Sequence, residues 1–155
     1  MNRHNEMEVH FLSVPENEAF ARVVIAAFAM QLSPTLAEIA DVKTAVSEAV
    51  TNAIVHGYEG TRGTVTMRAM IDNASLSIEI MDRGKGIPNI AQAMEPFFTT
   101  HPEQERSGMG FAVMQTFMDA VEVESVVGEG TTVIMRKYIN GEVGLHRERM
   151  LDEIG

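Results

Sequence analysis

Polar and apolar residues alternate over residues 6–12 (EMEVHFL), the period of a half-buried strand. Ser13-Val-Pro-Glu16 follows, a hydroxyl with a carboxylate three residues on and a proline in the first turn. That pattern predicts a capping box opening a helix. Phe20, Val23, Val24, Ala27 and Phe28 recur at helical spacing and mark its apolar face. Ser33-Pro34 predicts a restart, with Ser33 as N-cap and Pro34 at the first helical position. Leu36, Ile39, Val42, Val46, Val50 and Ala53 form the stripe of this second helix, which should stop at Gly57.

Residues 64–71 and 75–81 are β-like and flank a turn at Asp72-Asn73. A glycine-rich loop follows, then a short helical piece over 89–94. Residues 95–107 hold two prolines and no period, which predicts a mobile loop. A helix is expected over 108–120, with Phe111, Met114, Phe117 and Met118 on one face. Two last strands, 121–127 and 131–138, flank Gly128-Glu129-Gly130. Early helices and hairpin-paired strands give an α+β class, a mixed or antiparallel sheet with helices on one face. The open face would need a cover, for which a dimer partner is one candidate. The division expected is a domain over 1–140 and a charged tail over 141–155.

A length of 155 residues fits one domain. The apolar and charged fractions, 45% and 22%, belong to a globular chain and argue against wholesale disorder. No apolar run reaches the roughly 18 residues of a membrane span, and the first residues lack the apolar core of a secretory signal. There is no cysteine, which removes disulfides, thiol catalysis and the usual structural zinc sites. A cytoplasmic location fits. The net charge of −10, with no run of Lys or Arg, argues against direct nucleic-acid binding. An acidic chain can still hold a nucleotide through backbone N–H groups and helix N-termini.

Four elements stand out. Glu48, Asn52 and His56 recur every four residues, on one helical stripe beside the apolar one. A carboxylate and an amide there suit a base and a hard-metal ligand, although spacing alone favours a solvated helix face with i,i+4 polar pairs. Asp82-Arg-Gly84-Lys-Gly86-Ile87 follows a predicted strand. Its carboxylate can accept from a ligand amine and its glycines permit close backbone approach, although an ordinary turn has the same make-up. Ser107-Gly108-Met109-Gly110 opens a predicted helix, where N–H groups can meet an anion or simply be capped. Gly130-Thr131-Thr132 opens the last strand and, alone, is a turn.

Taken in order, these elements resemble the GHKL ATPases, a family with a Bergerat-type two-layer α+β sandwich. Glu48 and Asn52 match its N box, Asp82, Gly84 and Gly86 its G1 box, and Gly108 and Gly110 its G2 box. SEAVTNAIVHGY at 47–58, PFFTTHPEQERSGMGF at 96–111 and ENEAFARV at 16–23 are similar to the bacterial serine-kinase anti-sigma factors, most of all the branch controlling the sporulation sigma factor F.

The resemblance implies bound ATP or ADP with Mg2+. Asp82 would accept from the adenine amine, supported by Thr131 and flanked by Ile87. Asn52 would coordinate magnesium, and Ser107, Gly108, Met109 and Gly110 would surround the phosphates. Thr99, Thr100 and Arg106 would approach the γ-phosphate from a lid over 95–107. Glu48 would be the general base for a serine of an anti-anti-sigma factor, with Arg106 as its catalytic partner. Arg22 would touch both that protein and a sigma factor held by a homodimer. The alternatives are a kinase controlling a stress sigma factor, a histidine-kinase catalytic domain and a binding module without catalysis. A histidine kinase would need a phospho-accepting helix, for which His4, His10 and His146 have no context. Intact Glu48, Asn52 and Arg106 count against the binding module.

Overall fold

The computed structural model describes residues 3–95 and 110–140. Strand β1 (His4–Leu12) leads into helix α1 (Glu16–Ala29), and α2 (Leu36–Asn52) returns beside it. Strands β2 (Thr64–Asp72) and β3 (Ser75–Asp82) form a hairpin. A single turn, α3 (Ile90–Ala93), precedes α4 (Gly110–Phe117), and β4 (Ala120–Val126) and β5 (Gly130–Tyr138) form the second hairpin. The sheet order is β1-β2-β3-β5-β4 and every pairing is antiparallel, which resolves the mixed-or-antiparallel alternative.

Period-two alternation decides which side of the sheet is core. Val65, Met67, Ala69 and Ile71 of β2 face inward, in register with Ile80, Ile78 and Leu76 of β3, which meet Val133 and Met135 of β5. Burying each such aliphatic side chain contributes about 1.5–3 kcal/mol. The other face carries ions over β1–β3. Arg68 bridges Glu8 at 3.2 Å and Glu79 at 3.6 Å, and His10 lies 3.1 Å from Glu8. Helix α2 packs between α1 and α4 over the inward face.

Three local expectations are corrected. Ser13 does not cap α1. Its side chain is buried, donating to the Thr61 carbonyl at 3.1 Å and accepting from Gly63 N–H at 2.9 Å, so the hydroxyl is consumed by the loop before β2. Pro15 holds the N-cap position with no side-chain bond. Nor does Ser33 cap α2. It is left-handed, φ 49°, and ends a short 3-10 turn. Thr35 caps instead, in a reciprocal box with Glu38 at 2.9 and 3.1 Å.

The third correction concerns apolar faces. Phe20, Val23 and Leu36 are exposed, by 48%, 67% and 88%. Ala21, Ile25 and Ala29 bury instead, with Val24 and Phe28 only partly so. The buried line of α1 is thus Ala21, Ile25 and Ala29, spaced four residues apart on one helical face. Along α2 the expected stripe holds from Val42 to Ala53.

Candidate functional site

A cavity of about 340 Å3 opens where α2, the β3 end, α3, the α4 start and β5 converge. Its walls are largely apolar, including Ala49, Ala53, Ile80, Phe111 and Val133. Its polar groups include Asn52, His56, Asp82 and Thr131. Asp82 is the last residue of β3, where the strand leaves the core. Its carboxylate accepts from Gly84 N–H at 2.9 Å and from the Thr131 backbone N–H. Burial raises its pKa above the ordinary 3.8, and these two bonds oppose the shift without cancelling it. The result is a half-buried carboxylate acceptor among largely apolar walls, a chemistry suited to a flat heterocycle carrying an amine.

The turn after Asp82 is held by backbone contacts. A Cβ at Gly84 would come within 2.1 Å of the Gly57 carbonyl oxygen, and Lys85 N–H donates to that same oxygen at 2.9 Å. Gly86 has φ +79°, and a Cβ there would lie 2.4 Å from the Val126 carbonyl oxygen. Both predicted glycines are thus fixed by close approach, one to the end of α2 and one to the β4–β5 turn. Ile87 N–H donates to Ser125 Oγ at 2.7 Å, and Ser125 Oγ pairs with Thr131 Oγ1 at 2.8 Å. Ser125 thereby joins two expected site residues, and its own strand sequence gave no signal of this.

Asn52, Asp82, Gly86, Ile87, Gly110 and Thr131 line the cavity together, and Gly84 stands behind Asp82. Glu48 does not line it. One turn earlier on α2, it borders a second groove with Arg22, Lys43, Thr44 and Ser47. Arg22 Nε lies 3.0 Å from Glu18 Oε1, but its N–H has no well-directed acceptor, so the contact is ionic. Glu18 in turn accepts from the Ser47 hydroxyl. Thr99, Thr100, Arg106, Ser107, Gly108 and Met109 lie outside the described residues, as does the tail.

The sequence stripe of Glu48, Asn52 and His56 is therefore divided. Asn52 and His56 reach the cavity, and Glu48 faces the groove. The last turn of α2 widens into a π-helical turn, Ala53–Gly57, where Tyr58 N–H donates to the Ala53 carbonyl at 3.0 Å. Sequence periodicity had no means of showing that turn. Among the described residues no group of three or more His, Cys, Asp or Glu could hold a metal ion. An amide such as Asn52 would fit magnesium that takes its remaining ligands from phosphates and water. No helix among the described residues is long and apolar enough to cross a membrane.

The histidine kinase-like ATPase domain matches residues 11–137. The chain is 60% identical over 138 residues to an anti-sigma F factor of Thermoanaerobacter sp. (strain X514), covering 89% of this chain and 96% of that one. It is also 60% identical over 133 residues to the anti-sigma F factor of Clostridium acetobutylicum, covering 86% and 93%. Among solved structures, the RsbU and RsbW domains of Rv1364c from Mycobacterium tuberculosis superpose with TM-score 0.64 at 16% identity, over 87% of this chain and 32% of that one. That likeness bears on the fold alone. With the domain model matching most of the chain and relatives of this identity along nearly their whole length, the chain belongs to the histidine kinase-like ATPase domain family and, within it, to the anti-sigma F factors.

Proposed function

We propose that this chain binds a sigma factor of the sigma F type and, with ATP and Mg2+, phosphorylates a serine of the anti-anti-sigma protein. The observation that carries the catalytic half is the division of labour along α2. Asn52 lines the nucleotide cavity, and Glu48, one turn away, borders the groove that also holds Arg22. A protein hydroxyl docked beside Arg22 would meet Glu48 without entering the cavity.

In the cavity, Asp82 accepts from the adenine amine and the apolar walls exclude water from the ring. Thr131 and Ile87 hold that pocket through Ser125. Phosphates lie toward Asn52 and Gly110, which line the cavity together. Magnesium held by Asn52 and the phosphates would supply charge neutralisation. Glu48 takes the proton of the attacking serine hydroxyl, the serine oxygen bonds to the γ-phosphorus, and the bond to ADP breaks. Phosphoryl transfer asks mainly for positioning and charge stabilisation. Sigma-factor binding is carried over from the anti-sigma F relatives. A homodimer, a cytoplasmic setting and shared use of Arg22 by both partners belong to the same proposal.

The test is incubation of the chain with γ-labelled ATP, magnesium and the anti-anti-sigma protein. Acid-stable label on that protein supports serine phosphorylation. Acid-labile label indicates phosphohistidine and overturns the assignment. Bound ATP with no transferred label leaves a nucleotide-gated binding module and removes Glu48 as a base.

A further inference from the structure

We infer that Tyr58 is a positioning residue for Asp82 and so sets how strongly the cavity prefers a purine with an amino group at position 6. The inference rests on Asp82 being the adenine acceptor.

The three residues after Asp82 each have a fixed N–H. Gly84 N–H returns to Asp82 Oδ1 at 2.9 Å. Lys85 N–H donates to the Gly57 carbonyl at 2.9 Å. Arg83 N–H donates to the Tyr58 hydroxyl at 2.8 Å. Two of the three tethers therefore come from consecutive residues, 57 and 58, at the end of α2. The Tyr58 hydroxyl is fixed at its other side too, donating to the Thr64 carbonyl at 2.6 Å where β2 begins. Its ring lies against Gly63, where a Cβ would come within 2.2 Å of a ring carbon. The phenol is thus a strut from the first residue of β2 to the residue directly after Asp82.

The π-helical turn is what puts the strut in place. An α-helix advances 100° per residue, so one extra residue in the turn rotates everything after it by about that angle. Gly57 then lies against Asp82, near enough that a Cβ would sit 2.9 Å from the carboxyl carbon, and Tyr58 reaches the turn beyond. Asp82 needs such support. Its carboxylate is half-buried and its position decides whether an amine nitrogen lies at hydrogen-bonding distance or beyond it. Removing the hydroxyl leaves Arg83 N–H without its partner and frees the backbone next to Asp82, without altering any cavity wall.

The experiment titrates the full chain, in magnesium, with ATP and with purine riboside 5′-triphosphate, which has hydrogen at position 6. Wild type is expected to prefer ATP. Tyr58→Phe should cut that preference by about threefold to tenfold, the worth of one well-placed hydrogen bond. Its affinity for the purine riboside triphosphate should stay within about twofold of wild type. Gly63→Ala, which displaces the ring without deleting the hydroxyl, should lower the preference in the same direction, and it serves if Tyr58→Phe fails to fold. A merely structural role would weaken both nucleotides together, and that result overturns the inference. So does an unchanged preference in both variants beside a wild type that does prefer ATP. A wild type indifferent to the amine overturns the inference together with the adenine role of Asp82.

Discussion

Gly84→Ala isolates the contact that fixes the turn behind Asp82. The added methyl would meet three backbone atoms of Gly57, at 2.1, 2.3 and 2.8 Å. Carbon contacts want about 3.5–4.0 Å, so either the end of α2 or the turn must move by more than about 1 Å. Backbone cannot swing aside as a side-chain tip can. That movement breaks the Lys85 N–H bond to Gly57, worth about 1 kcal/mol, and overpacking costs about 1–3 kcal/mol more. The sum is about 2–4 kcal/mol, or roughly 4–16 °C in Tm for a chain of this size. Gly60→Ala is the comparison. Gly60 has φ +85° with nothing within 4 Å, so alanine there meets only backbone strain, about 1 kcal/mol. Urea unfolding gives both stabilities, with equal m-values required for the comparison. ATP titration then separates the two sites: Gly84→Ala should lose most of its affinity, and Gly60→Ala should keep it. The reasoning fails if Gly84→Ala is within 1 kcal/mol of Gly60→Ala, or if it is destabilised and still binds ATP normally.

Glu48→Gln should abolish transfer to the anti-anti-sigma protein and leave the nucleotide Kd unchanged, since Glu48 does not line the cavity; unchanged turnover would remove its role as base. Arg22→Glu should weaken the sigma factor and the anti-anti-sigma protein alike, by about tenfold or more if each offers a carboxylate, with nucleotide affinity preserved; calorimetry with each partner decides. Thr35→Ala should cost about 0.5–2 kcal/mol in thermal or urea unfolding, because it removes the acceptor for Glu38 N–H and half of the reciprocal box. Asp82 has a folded pKa above 3.8, raised by burial. The folded state therefore binds the proton more tightly than the unfolded state, and the contribution to stability is fully present below the unfolded pKa. It is lost as pH rises through the folded pKa. Without nucleotide, the stability of wild type relative to Asp82→Asn should fall across that window; a flat difference curve would contradict the burial effect.

Strand positions were legible because a half-buried sheet writes a period of two into the chain, and β2 and β3 fall within a residue of their expected ends. The N-box and G1 residues were legible for a different reason. Asn52, Asp82 and Gly86 are ambiguous one by one; their order along the chain carries the family resemblance, and the structure brings all three to one cavity. What failed to show depended on partners far away in sequence. Ser13 has the look of a cap until Thr61 and Gly63 claim its hydroxyl, 48 and 50 residues on. Phe20 and Val23 have the look of core until α1 turns Ala21, Ile25 and Ala29 inward instead. Tyr58 and Ser125 are ordinary residues in a loop and a strand. Their importance lies in hydrogen bonds to Arg83 and to Ile87, and no local pattern encodes those.

The two clefts on α2 also constrain how nucleotide and partner can influence each other. Coupling requires that each ligand bind two arrangements of the protein with different affinity, and it is then equal in both directions. The rigid candidates are few. Asn52 and Glu48 are one helical turn apart, so α2 itself is common to both clefts. Its N-terminal end is fixed by the Thr35–Glu38 box, and its C-terminal end by Gly57 and Tyr58 against the turn after Asp82. A helix pinned at both ends transmits little by bending. On this geometry α2 is the part of the described residues least able to differ between nucleotide states. A partner that senses the nucleotide must then contact more than Arg22 and Glu48. Equal affinities of a partner for the ATP-bound and ADP-bound chain would show that the groove between α1 and α2, with Arg22 and Glu48, is by itself enough for its site.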